Sequence, residues 1–165
     1  MYLELEYYGQ NDGTTVPDLT LTGDPGVDNA ALTAAGYNSG ALVSIKAGTS
    51  NSSAGLVVNP CPVNGSEVPY GFLLLGAGQF SSSITPSGSG KTPVVRAMPK
   101  FKLPSSQVDS GVTAGLGKYL YPSQITAGKI SFDESGGTGS NATPVGICTH
   151  LVTAAEPWLG VASLL

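Results

Sequence analysis

Charge is scarce in this chain. Asp, Glu, Lys and Arg make up 11% of its 165 residues, against about 25% in ordinary soluble proteins, which excludes a charge-rich disordered chain and a long, ion-paired helical protein. The seven Lys and Arg residues are scattered and the formal net charge is -4. No basic patch can form to neutralise nucleic-acid phosphates, so nucleic acid is not expected as a partner. Histidine occurs once, at His150, which leaves little material for a zinc site or a Ser-His-Asp triad. Two cysteines, Cys61 and Cys148, are too few for a disulfide scaffold; two buried thiols are the plainer reading and one bridge the alternative. The longest strongly apolar window, Tyr70 to Ala77, falls far short of the ~20 residues of a membrane span, so no membrane partner is expected. The start, Met1 to Glu6, has neither the basic residues nor the apolar core of a secretory signal, which implies manufacture and use without export.

Glycine is abundant instead, with 23 copies beside 12 prolines. The chain consists largely of short apolar or β-branched runs closed by one of the two: Phe101 to Pro104, Leu116 to Pro122, Ile125 to Phe132, Thr143 to Cys148 and Trp158 to Ala162. Such runs, separated by polar glycine-rich connectors, spell an all-β domain of about seven to nine short strands with almost no helix. The expected architecture is a small antiparallel β-barrel or β-sandwich with long Gly/Ser-rich loops. Earlier strands are expected at Ala41 to Lys46 and Ala54 to Val58, as a hairpin, then at Phe72 to Leu75 and Val94 to Met98, with a surface loop from Ser81 to Thr92. Later ones are expected at Lys118 to Tyr121, Ile125 to Phe132, Val145 to Leu151 and Leu159 to Leu164. In Tyr70 to Gly76, Pro144 to Cys148 and Trp158 to Ala162 a glycine sits inside or beside a β run, the mark of a bulge or barrel corner.

The N-terminal quarter reads differently. Tyr2 to Tyr8 alternate with the period of a half-buried strand. From Gln10 to Asn29 the chain is polar and broken by Asp12-Gly13, Pro17, Gly23 and Asp24-Pro25-Gly26, which predicts an extended course anchored by Leu19 and Leu21. Residues 1–29 are thus expected as an extended arm and 30–165 as the β-barrel domain, with a short helix over Ala30 to Ala35 closed by Gly36. An arm of this kind either packs on its own barrel or adds a strand to a neighbour. Tyr2, Leu3, Leu5, Tyr7, Tyr8, Leu19, Leu21 and Tyr37 are the candidate interface residues, since half-exposed tyrosines offer apolar area with a polar tip. Covering their own barrel is the alternative use of the same rings.

Signals of chemistry turn out to be near misses. Gly88-Ser-Gly-Lys91-Thr92 ends like a phosphate-binding loop but has Thr85 where the first glycine belongs, and Pro93-Val94-Val95 opens a strand where a helix is needed. Gly76-Ala-Gly78 has Ser81 in place of the third glycine of a dinucleotide fingerprint. Cys148-Thr-His150 could put a thiol and an imidazole on one strand face, yet a metal pair needs a further ligand, and a strand histidine bonded to nearby backbone is the plainer reading. The adjacent acids Asp133 and Glu134 diverge if extended and lack the spacing of a calcium loop. Asn51, Asn64 and Asn141 head glycosylation triplets that, without a secretion signal, indicate only exposed loops. No catalytic, cofactor-binding or metal residues are therefore assigned, and no cofactor is expected.

The series Phe101 to Pro104, Val112 to Gly117, Lys118 to Tyr121, Ala127 to Ile130, Val145 to Cys148 and Leu159 to Ala162 resembles the small β-barrel decoration, or cement, proteins of tailed bacteriophage heads. In that family an F-x-L-P strand precedes a G-x-x-V/L-Y strand, a G-K-V/I-T/S strand and a late G-V/I-A/C strand. Ser39 to Val43 and Tyr70 to Leu74 look like its earlier half, so the likeness covers residues 39–165; the tyrosine-rich arm and the Ser81 to Thr92 insertion depart from it. The resemblance implies a non-enzymatic structural protein of the virion, assembled in the host cytoplasm and held on the capsid exterior. Its implied partners are the major capsid protein and itself, as a homotrimer, with capsid stabilisation as the function. Two other readings compete: a tail, fibre or lectin-like module contacting carbohydrate, and a small hydrolase, the weakest given one histidine and dispersed acids.

Overall fold

The structure, a computed structural model, describes residues 4–5, 15–21, 36, 38–45, 57–63, 66–73, 91–95, 100–109, 113–133 and 143–165. Among these the chain is all-β, with no α-helix. In chain order the strands are β1 (Glu4–Leu5), β2 (Thr15–Leu21), β3 (Leu42–Ile45), β4 (Val57–Pro60), β5 (Pro69–Leu73), β6 (Lys91–Val95) and β7 (Phe101–Pro104), then β8 (Tyr119–Pro122), β9 (Ile130–Ser131), β10 (Gly146–His150) and β11 (Trp158–Ser163). A 3₁₀ turn, Ser105–Gln107, follows β7. Five strands close a ring in the order β2-β4-β3-β5-β6, and six form a sheet in the order β1-β7-β11-β10-β8-β9. Within the ring β2 and β4 run parallel, and the expected β3–β4 hairpin is present, with Val43 opposite Pro60 and Ile45 opposite Val58.

The six-stranded sheet is assembled from the glycine-closed blocks of the last third. It curls: Val108, just past the 3₁₀ turn, bridges Ile130 in parallel, and the Asp109 N–H donates to the Ile130 carbonyl at 2.9 Å. Two of the three glycine-marked runs carry the expected irregularity, while Gly146 pairs regularly with both neighbouring strands. Opposite Gly160 the β10–β11 register slips between Cys148 and His150, and beside Gly71 the β3–β5 register slips between Val43 and Ser44. At Gly146 a side chain has no room, since a Cβ there would lie 2.7 Å from Val161 Cγ1.

The structure corrects one expectation and narrows another. The run Ile125 to Phe132 was expected as one strand, but only Ile130–Ser131 pairs. The reason is local: Ser123 Oγ accepts the N–H groups of Ile125 (3.0 Å) and Thr126 (3.1 Å), and a side-chain oxygen that satisfies two successive amides bends the chain into a turn. The second concerns the arm. Thr15–Leu21 is a strand of the ring, with Thr15 opposite Val95, Leu19 opposite Thr92, and a slip between Val16 and Leu19; that interval contains Pro17, which has no N–H to give to a ladder. Residues 15–21 thus pack on the chain's own barrel, one of the two courses expected for the arm. The segment expected as a helix, 30–35, the loop core 81–90 and the loop 134–140 lie outside the described residues.

Ring and sheet share one core. Leu42, Cys61 and Phe72 from the ring pack in the same buried cluster as Phe101, Leu103, Leu120, Val145, Leu159 and Val161 from the sheet, and the Phe72 and Phe101 rings meet at 4.9 Å. Each such fully buried side chain contributes about 1.5–3 kcal/mol by removal from water. The seam is also hydrogen-bonded: Leu42 N–H donates to the Gly128 carbonyl (2.7 Å) and Gly128 N–H to the Cys61 carbonyl (2.9 Å). Gly128 adopts φ +79° with Pro60 Cβ 3.1 Å from where its own Cβ would stand, so the position requires glycine on both counts.

Candidate functional site

Among the described residues a grouping of polar and aromatic side chains lies across the six-stranded sheet. Register aligns Lys102 of β7, Gly160 of β11 and His150 of β10 in one row. Gly160 brings no side chain to that row, and Trp158, two residues earlier and so on the same face, occupies the gap. The His150 ring stacks on the indole at 4.1 Å and 24°, and Lys102 Nζ lies over it, 4.7 Å from the ring centroid. Since β11 runs between β7 and β10, the indole stands between ammonium and imidazole. On its far side His150 Nε2 approaches Glu156 Oε2 at 3.0 Å, yet Nε2 makes no well-aligned hydrogen bond. The contact is therefore electrostatic in character.

The bulge at Thr149 decides what this group can do. Cys148 turns into the core and His150 outward, so the thiol and the imidazole do not share a face, contrary to the geometry that the Cys-Thr-His spacing allows. Cys148 Sγ instead donates to the His150 carbonyl at 3.4 Å, and burial pushes its thiol up, the wrong direction for a nucleophile. His150 meets a carboxylate rather than the backbone partner expected of it. Both cysteines are free thiols, which answers the question of a bridge. Among the described residues no three His, Cys, Asp or Glu side chains are grouped to hold a metal ion.

A second grouping surrounds Asp109. Its carboxylate accepts Ser123 Oγ–H and Thr126 Oγ1–H at 3.3 Å, and pairs with Lys129 Nζ at 3.5 Å. These bonds tie the end of β7's extension to the β8–β9 turn. Beside them opens a cleft of about 320 Å³ lined by Val108, Ala114, Phe132, Leu151, Val152 and Leu159, with Ser105 and Asp109 as its polar members. With Asp109 already engaged, the cleft offers apolar contact and little else.

The sequence-derived interface residues separate. Leu5 lies on β1, opposite Phe101, at the rim of the six-stranded sheet. Leu19 and Leu21 lie on β2 in the ring, opposite Thr92 and Val58. Tyr2, Leu3, Tyr7, Tyr8 and Tyr37 lie outside the described residues, as do Glu134, Gly76, Gly78, Asn51, Asn64 and Asn141. Lys91 and Thr92, the end of the phosphate-loop lookalike, were expected in the Ser81 to Thr92 loop but are the first two residues of β6, whose strand opens there rather than at Pro93. Large apolar side chains exposed elsewhere are Val68, Leu116, Tyr119, Ile125, Val152 and Leu164, most of them in connections between strands. The Lys102–Trp158–His150–Glu156 grouping was not anticipated from sequence; the one signal for it was a lone tryptophan two residues before a strand glycine.

No protein-family model, curated protein or solved structure matches the chain.

Proposed function

We propose that this is a non-enzymatic structural protein that binds the outer surface of an icosahedral phage head and stabilises contacts between major capsid subunits. The observation that carries the reading is the place of β1. The blocks on which the family resemblance rests, Phe101–Pro104, Tyr119–Pro122, Gly146–His150 and Trp158–Ser163, are strands of one sheet, and that sheet has Glu4–Leu5, near the N-terminus, as an edge strand. An edge strand offers backbone donors and acceptors to a neighbouring chain. Many copies, each making a modest contact with several capsid subunits, add up to large stabilisation. The polar groups that could have suggested chemistry are engaged in holding loops, Asp109 with Ser123 and His150 with Glu156.

The test is decoration of phage heads assembled without the protein. The full chain is expected to bind them and to raise the temperature at which they rupture. Removing residues 1–9 leaves β2 and the ring intact and is expected to abolish binding while the melting curve of the free protein retains its cooperative transition. Normal occupancy by the shortened form would sink the role of β1, and failure of the full chain to bind would sink the reading itself.

A further inference from the structure

The cleft beside Asp109 reaches down to the core. Its floor is Phe132 and Leu159, both members of the buried cluster, and Val108 and Leu151 of its walls pack against that same cluster. Ala114 and Val152 stand exposed at its mouth. The walls come from segments far apart in the chain, and each is fastened without help from a ligand. Ser105 N–H donates to the Pro157 carbonyl at 3.2 Å, which holds the β10–β11 connection against the 3₁₀ turn. That connection is closed on itself by Thr153 N–H on the Glu156 carbonyl and Glu156 N–H on Thr153 Oγ1, both at 3.0 Å. Val108 bridges Ile130, and Asp109 N–H donates to the Ile130 carbonyl at 2.9 Å, which fixes the segments carrying Val108 and Phe132. Walls so held need little ordering on binding, the property of a ligand site formed before its ligand arrives.

Size and charge define what fits. The volume of about 320 Å³ is roughly twice the ~150 Å³ of an apolar cavity that takes up one benzene, so it holds a two-ring compound of about ten carbon atoms. Water standing in the cleft finds only Ser105 and Asp109 as polar side chains in the lining, and water so poorly held is displaced by an apolar group with a gain in affinity. The one formal charge of the lining is the Asp109 carboxylate, and the cation paired with it at 3.5 Å, Lys129, is not part of the lining. An anionic ligand would meet like charge there with no cation to answer it, and would lose its hydration in an apolar place. We propose that this cleft is a binding site for a neutral, apolar ring compound of two-ring size. The site does not depend on what β1 binds.

The probe is 1-naphthol, uncharged near neutrality, titrated into the full chain while methyl resonances are followed by NMR. Those of Val108, Ala114, Leu151, Val152 and Leu159 are expected to shift together along one saturating curve, while those of Val68 and Leu164, exposed elsewhere, stay in place. 1-Naphthoate, the same two rings with a carboxylate, is expected to bind about tenfold more weakly or worse, because of the like charge at Asp109. Ala114→Phe and Val152→Phe each narrow the mouth from an exposed position and are expected to weaken 1-naphthol while the far-UV melting transition is unchanged. Methyl resonances that stay still up to the solubility limit of 1-naphthol, shifts shared equally by Val68 and Leu164, equal binding of 1-naphthoate, or undiminished binding in both variants would each overturn the proposal. So would shifts of the same methyls with protein concentration in the absence of probe, which would give the cleft to a second copy of the chain.

Discussion

Cys61 is placed where a thiolate is costly. It is buried at the seam between ring and sheet, and desolvation, assisted by the negative charge of Glu67, pushes its thiol up to about 12 from an ordinary 9.0. The folded chain therefore holds this proton more tightly than the unfolded one. The resulting stability is fully present below pH 9 and is lost as pH rises toward 12, because in that window the unfolded thiol ionises and the folded one does not. Urea unfolding between about pH 9 and 12 should accordingly show a fall in stability that is shallower in Cys61→Ala than in the native chain. The difference is bounded by one proton, about 1.4 kcal/mol per pH unit. At the same scale Gly160 explains why the central patch was hard to foresee: a Cβ there would stand 2.8 Å from the His150 backbone nitrogen. The residue that allows Trp158, His150 and Lys102 to meet is the one that contributes no atoms to the meeting.

Among the elements, the β8–β9 turn is where a β-branched run misleads. Ile125 and Thr126 favour a strand by composition, but the hydroxyl of Ser123 takes their amides and the carboxylate of Asp109 takes the hydroxyl. Ser123→Ala removes an acceptor and a donor at a buried site, and should cost about 1–3 kcal/mol. The expected readout is a lower urea midpoint at unchanged m-value, with faster amide exchange at Ile125 and Thr126 than elsewhere. Strands written as short apolar runs ending in Pro, such as Phe101–Pro104 and Tyr119–Pro122, were legible because run and breaker are both local. The patch on β7, β11 and β10 was not, since it arises from register across three strands and a one-residue bulge, neither of which any local spacing encodes. The same holds for β2, whose partners β4 and β6 lie far along the chain from it.

At the scale of the whole molecule the shared core makes one testable demand. Phe72 belongs to the ring, and Trp158, the sole intrinsic reporter of its kind, to the other sheet. Phe72→Ala should cost about 3–5 kcal/mol, the range for emptying a large buried site. If ring and sheet are one cooperative unit, the unfolding transition seen by Trp158 emission shifts by the same amount as that seen by far-UV circular dichroism. A Trp158 transition that stays in place would mean two units that merely touch.

The order of strands also dictates the order of events as the chain is made. β11 is inserted between β7 and β10, so the strand ladder cannot run from β7 to β10 until residues 158–163 have left the ribosome, although Val108 and Asp109 can already meet Ile130. The seam between ring and sheet is subject to a related delay, because Leu42 and Cys61 bond to Gly128, a turn translated long after them. A chain so wired can pair the strands of its ring early but joins β7 to β10 through β11 late, with the slow folding expected when distant segments must meet.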